Sequence, residues 1–207
     1  MFELQRVHFA YTPEKHVFHG LDLNLGKNEN VLVTGDNGSG KSTLLKLLIG
    51  ILQPQQGTVL ISGKVIKEIS AQHGRNCFYL SQQASEQILG YNPESDLRIW
   101  AMAGLDVSSI TDHPLLQSVS EDIMHTPFRE LSSGTLQAYL LTLALLAESR
   151  WMLLDEPLKS LDKDKRRIFL EALSTRRGML IVSHEPEPFT PLMSRHLEIR
   201  AGSLHEV

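Results

Sequence analysis

Apolar residues fall into several kinds of run along this chain, and each kind predicts a different element. Residues 2–9 and 17–25 read as two strands, with Tyr11-Thr12-Pro13 turning between them. Val31-Leu32-Val33-Thr34 is a short continuous apolar run that ends in Gly35, the pattern of a buried parallel strand. From Lys41 the spacing becomes helical through Leu44, Leu45, Leu47, Leu48 and Ile51, and Pro54 marks where that helix must have ended. Alternating β-branched residues return over 57–67, punctuated by Gly57 and Gly63, and Asn76 to Ser81 forms a further short strand. Residues 86–125 are mixed and mostly helical. Leu136 to Ala147 is a helix, Trp151 to Leu154 a strand, Lys163 to Leu173 a helix, and Met179 to Ser183 a strand. Strand, helix and strand in that order imply a parallel sheet with right-handed crossovers. The class is α/β, with an antiparallel, β-rich N-terminal portion.

Composition narrows the setting. The chain has 207 residues, enough for one substantial domain or two small ones. Its single cysteine, Cys77, excludes an internal disulfide and fits a reducing compartment. Twenty basic against 24 acidic residues give a net charge of −4, so no overall electrostatic footprint for nucleic acid is expected. The N-terminus lacks a basic start followed by an apolar stretch, so no secretory signal is expected. The longest apolar region, Ala138 to Ala147, is too short to span a bilayer and reads as a buried helix.

Two segments carry chemistry. Gly35-Asp36-Asn37-Gly38-Ser39-Gly40-Lys41-Ser42-Thr43 fits the phosphate-loop pattern G-x-x-x-x-G-K-[ST], with an apolar strand before it and a helix after it. The glycines let successive backbone N–H groups turn inward around an anion, and the helix N-terminus adds its partial positive charge there. Lys41 would reach the β- and γ-phosphates and the Ser42 hydroxyl would be a Mg²⁺ ligand. Trp151-Met152-Leu153-Leu154-Asp155-Glu156-Pro157 is an apolar strand ending in two carboxylates, at the strand end where parallel sheets bind ligands. Adjacent strand residues face opposite ways, so the two acids can divide the work. Asp155 would hold Mg²⁺, directly or through water, while Glu156 would face the attacking water as general base or orient it.

Further segments resemble one family of phosphate-loop enzymes. Leu131-Ser132-Ser133-Gly134-Thr135 resembles the L-S-G-G-Q signature of the ATP-binding-cassette (ABC) family, and a long apolar helix separates it from the Asp-Glu strand. Gln82 after Ser81 resembles the Q-loop glutamine, with Gln83 as the other candidate. Lys159-Ser160-Leu161-Asp162 resembles the D-loop, His184 the switch histidine, and Tyr11 the aromatic that stacks on adenine. The resemblance covers nearly the whole chain in the correct order.

It implies a P-loop NTPase (RecA-like) core with an antiparallel β subdomain and a helical subdomain. The whole of residues 1–207 would be a single ABC ATPase domain, with the helical subdomain inserted at about 86–140. Catalytic roles fall to Glu156, His184 and Gln82. ATP contacts fall to Tyr11, Gly35, Asn37, Gly38, Ser39, Gly40, Lys41, Ser42, Thr43, Ser132 and Gly134, and Mg²⁺ contacts to Ser42, Gln82 and Asp155. The implied cofactors are ATP and Mg²⁺. Implied partners are a second ABC ATPase chain, packed head to tail, and a membrane-spanning transporter subunit, which places the chain in the cytoplasm on the inner face of the cell membrane. No nucleic-acid partner is expected.

The signature departs from the family pattern. Ser133 replaces its first glycine, Thr135 its glutamine, and the usual basic residues after it are absent. Either these are tolerated variants, or the face offered to a partner is altered while the chain's own ATP site stays competent. Gln82 to Leu89 resembles the Q-N-P-D-D-Q-[IL]-F stretch of cobalt/nickel and energy-coupling-factor importers. The alternatives are a non-transport ABC ATPase and a regulatory ABC subunit with weak hydrolysis.

Overall fold

The computed structural model describes residues 1–68, 77–117, 122–147 and 149–207. These form two compact units, one of Met1–Tyr79, Arg150–Glu156 and Arg177–Val207, the other of Leu80–Ser149 and Pro157–Arg176.

The first unit begins with two long strands, β1 (Phe2–Thr12) and β2 (Lys15–Leu25), paired antiparallel. The turn between them is Pro13-Glu14, so Tyr11 and Thr12 belong to β1 and not to the turn that the sequence places at Tyr11-Thr12-Pro13. Strand β3 (Asn30–Thr34) leads through the glycine-rich loop to helix α1 (Lys41–Leu48). That helix stops well before Pro54: Gly50, at φ 77°, supplies the left-handed residue just beyond its end. Strands β4 (Gln56–Ile61) and β5 (Lys64–Val65) follow, then β6 (Cys77–Leu80). Asn76, where the sequence starts that last strand, lies outside the described residues.

The acid-bearing strand is β7 (Trp151–Asp155), and β8 (Met179–Val182) precedes His184. The chain closes with a hairpin of β9 (Arg195–Arg200) and β10 (Ser203–Glu206), which the sequence reading passed over. Its apolar signal is three residues, Leu197, Ile199 and Leu204, set among charged and polar ones.

Two sheets result. One has the order β2-β1-β4-β5, antiparallel at its β1–β2, β1–β4 and β4–β5 pairs. The other has the order β10-β9-β3-β8-β7-β6, in which β3 pairs parallel with both β8 and β9 and β7 pairs parallel with β8. The α/β class with a parallel core and an antiparallel portion is therefore present. One apolar cluster joins them: Phe2, Phe18 and Leu25 from the antiparallel sheet, Val31, Leu153 and Leu180 from the parallel one, and Leu44 and Leu48 from α1. Strands covered on both faces explain the continuous apolar runs of β3, β7 and β8.

The second unit holds α2 (Pro93–Met102), α3 (Pro114–Gln117), α4 (Ser133–Leu146) and α5 (Lys163–Leu173). Helix α3 packs on α4 and α5, and the Phe128 and Tyr139 rings meet at 5.4 Å. The expected helical stretch at 86–125 is thus one three-turn helix and shorter turns, with 118–121 outside the described residues. Among the described residues no helix is long and apolar enough to cross a membrane.

Leu180 in β8 is 0% exposed and sits in the shared cluster. Leu180→Ala should destabilise the chain by about 2–5 kcal/mol, read as a lower denaturant midpoint at unchanged slope.

Candidate functional site

The phosphate loop is built by backbone that only glycine accepts. Gly35, Gly38 and Gly40 stand at φ 143°, 81° and 109°. A Cβ on Gly35 would come within 2.7 Å of the Ile199 carbonyl oxygen, and one on Gly40 within 2.5 Å of the Val17 side chain. Around Gly38 a Cβ would meet nothing within 4 Å, so there only the torsion demands glycine. The Ser39 amide donates to the Asp36 carbonyl at 3.1 Å, and Leu44 N–H to Gly40 at 2.8 Å as α1 begins. The first amides of α1 have no carbonyl partner within the helix. Lys41 is 8% exposed, and its ammonium donates to the carbonyl oxygens of Gly35 at 2.7 Å and Asp36 at 3.0 Å. The Ser39 hydroxyl is buried without a hydrogen-bond partner. Free amides, a cation and an unsatisfied hydroxyl around one glycine-lined turn fit a phosphate chain. Asn37 lies at the exposed rim of the same loop.

The acid pair stands in the same unit. Asp155 is 2% exposed at the end of β7. Burial pushes its carboxyl above the ordinary carboxylate range. A hydrogen bond from the Ser42 hydroxyl pulls it back, the Glu156 charge raises it again, and Lys46 and Lys41 lower it. Ser42 and Asp155 thus present two hard oxygens to one point, a donor set that suits Mg²⁺.

Glu156 breaks from the strand at φ 52° while its N–H donates to Val182 at 3.0 Å. This bend aims its carboxylate at the end of β8. There Oε1 accepts the His184 N–H at 3.0 Å, and Oε2 lies 2.8 Å from His184 Nδ1 and 3.3 Å from Ser183 Oγ. The two acids do point to different partners. Sequence reasoning missed two participants here, Lys46 and Ser183. Their signals were a lysine one turn beyond Lys41 and a hydroxyl immediately before His184.

Tyr11 is brought to the start of α1. Its hydroxyl is 3.0 Å from Thr43 Oγ1, and its ring, 49% exposed, meets the edge of Phe9 and carries the Lys15 ammonium 5.6 Å from its centroid.

Three named residues belong to the second unit. Gln82 is exposed in the bend after β6, and Gln83 precedes a single 3₁₀ turn, Ala84–Gln87. Ser132 is the N-cap of α4: its Oγ accepts the Thr135 N–H at 3.1 Å and lies 2.8 Å from Thr135 Oγ1. A Cβ on Gly134 would come within 2.6 Å of the Ser160 carbonyl oxygen, so the residue there must be small. Gln137, 5% exposed, donates to the Pro157 carbonyl at 3.0 Å.

A parallel sheet whose strand runs through a glycine loop into a helix defines the class of P-loop nucleoside triphosphatases. The chain belongs to the ABC transporter family, whose sequence profile matches residues 18–159, and it is an ATP-binding cassette with ATPase function. It is 32% identical over 194 residues to a cytochrome c biogenesis ATP-binding export protein, CcmA, of Chelativorans sp., covering 90% of this chain and 92% of that protein. It is 29% identical over 167 residues to the energy-coupling factor transporter ATP-binding protein EcfA of Malacoplasma penetrans, covering 78% of this chain but only 58% of that longer protein. In fold it matches a dimeric ATP-binding cassette in a post-hydrolysis state bound to ADP and phosphate, with TM-score 0.82 and 20% identity over 100% of this chain and 98% of that one.

Lys41→Ala removes the loop's one ammonium and should weaken ATP binding by about 100-fold or more. Equilibrium titration with a fluorescent ATP analogue checks it; unchanged affinity would remove Lys41 from the site.

Proposed function

We propose that this chain is the ATP-hydrolysing subunit of a transporter whose membrane-spanning part is a separate chain, and that it works as a dimer of cassettes on the inner face of the membrane. The observation that supports this most is the phosphate loop that holds the Lys41 ammonium and meets Asp155 through Ser42, with the Glu156–His184 clamp directly following Asp155 in the chain. On this reading residues 1–207 act as one ABC domain, and the second unit serves as the helical subdomain expected at about 86–140.

The amides from Gly40 to Thr43 and the Lys41 ammonium bind the triphosphate. Tyr11 meets the adenine. Ser42 and Asp155 would hold Mg²⁺, with Gln82 as a further ligand, and the bound ion would supply positive charge against the phosphate oxygens. Glu156 takes the proton of the attacking water, and His184 Nδ1 fixes the carboxylate in place for it. Ser132 and Gly134 close over the nucleotide of the second cassette. The exposed segment after Gln82 receives the membrane partner, so that closure and reopening of the dimer drive transport. The EcfA relative supports the importer-like resemblance around Gln82 to Leu89.

One observation favours a second reading, a regulatory cassette with weak hydrolysis. Thr135 stands where the family has glutamine, and its hydroxyl is held by Ser132. The ATPase assay separates the two, and recovery of a multispanning membrane protein with the tagged chain from detergent extracts tests the transport role.

Glu156→Gln should leave ATP affinity within about twofold of wild type, lower turnover by about 100-fold or more, and trap a nucleotide-bound dimer visible by size-exclusion chromatography. Normal turnover in this variant would take the base role from Glu156.

A further inference from the structure

Asp96 is fully buried in the second unit and takes no part in the phosphate chemistry above. Its carboxylate accepts four hydrogen bonds, divided by oxygen. Oδ1 takes the backbone amides of Leu89 at 2.7 Å and Gly90 at 2.8 Å. Oδ2 takes Trp100 Nε1–H and the Tyr139 hydroxyl, each at 2.9 Å. One oxygen therefore ties down the loop that precedes α2, and the other ties α2 to α4. Four donors around a buried carboxylate compensate its loss of water, and bonds to a charged acceptor are short and directional.

The surroundings fix this arrangement further. Asn92 and Ser95 form a reciprocal capping box at the start of α2. A Cβ on Gly90 would lie 2.3 Å from the Asp96 amide nitrogen, so the loop lies against the helix start. Burial, and then the Asp96 charge, push the Tyr139 phenol well above its ordinary pKa, so it stays a donor.

Two features give the cluster a direction. The pinned segment exposes large apolar side chains: Leu89 at 56%, Tyr91 at 61%, Ile99 at 38% and Met102 at 88%. Tyr139 lies two helical turns along α4 from Ser132, the N-cap of that helix. One carboxylate therefore joins the exposed segment to α4, two turns from the N-cap of that helix.

We infer that Asp96 is a positioning residue that links the exposed segment Leu89–Met102 to the Ser132 end of α4, with the Tyr139 hydroxyl as the connecting bond. The inference rests on the proposed function, in which that segment receives a partner and Ser132 contacts nucleotide. Because Asp96 touches no reacting atom, its effect falls on turnover and leaves binding at the phosphate loop unchanged.

Tyr139→Phe is the sharp test. It keeps the ring against Phe128 and removes only the hydroxyl. In the full chain we expect ATP affinity and KM within about twofold of wild type and kcat lower by about tenfold. The Leu89 and Gly90 amides should stay protected from hydrogen exchange. Asp96→Asn, equal in shape, cannot accept at both oxygens and should lower kcat at least as far, with faster exchange at Leu89 and Gly90. Wild-type kcat in Tyr139→Phe overturns the inference alone. A parallel fall of kcat, ATP affinity and thermal midpoint also overturns it, since that marks a purely structural role. A wild-type chain that hydrolyses no ATP overturns the proposed function, and this inference with it.

Discussion

A carboxylate held out of water at the end of a central strand is the constraint on which the site depends. Asp155 is carried there by β7, which pairs with β8, the strand that precedes His184. Burial alone would favour its neutral form, and so would the adjacent charge of Glu156. What opposes them is local and comes from α1: the Ser42 hydroxyl and the lysines at 46 and 41. The same helix thus offers its N-terminal amides to an anion and its hydroxyl and cations to the acid. The left-handed bend at Glu156 matters for the same reason. A regular strand would send the second carboxylate to the opposite side of the sheet. The bend instead delivers it to the His184 backbone and ring.

The substituted signature has a coherent local structure. Ser132 caps α4 through the Thr135 amide, and the Thr135 hydroxyl meets the same oxygen. A threonine in place of glutamine gives up reach beyond the helix and gains a tight first turn. The neighbouring Gly134 is required by the Ser160 carbonyl oxygen behind it, whatever its role toward nucleotide. Gln137 adds a hydrogen bond to Pro157, so the start of α4 and the segment after the acid pair are held together.

Most of this was legible where one local signal dominates. The run Val31–Thr34, the glycine loop and the 3.6-residue spacing after Lys41 placed β3 and α1 correctly, because strand, loop and helix each carry their own pattern. The spacing predicts helix α5 residue for residue at Lys163–Leu173, and the structure adds Asp162 as its N-cap. The misses share a different cause. Strand β9 owes its place to a parallel neighbour, β3, about 160 residues earlier, and β10 to its antiparallel pairing with β9; three apolar residues among charged and polar ones do not announce either. Tyr11 was assigned to a turn because Pro13 follows closely, yet β1 runs on through Thr12 by pairing with Lys15. Pro54 only bounds the helix from beyond; its end at Leu48 is set by Gly50 in the left-handed region. The Glu156–His184 contact joins residues 28 apart, and no spacing rule could have provided its geometry.

The two buried aspartates show how donor supply assigns roles that burial alone cannot. Asp96 and Asp155 are 0% and 2% exposed, so neither is solvated. Asp96 is met by four donors from its own unit, two on each oxygen. A carboxylate so satisfied gains little from a further ligand, and its chemistry is that of a fastening. Asp155 instead meets one serine hydroxyl and the charges of two lysines, under a desolvation that outweighs them. A cation compensates such a site better than any neutral donor, because it removes the penalty that burial imposes. Each acid is therefore sensitive to its amide for a different reason: Asp155→Asn discards the charge a divalent ion needs, while Asp96→Asn loses the ability to accept from both sides at once.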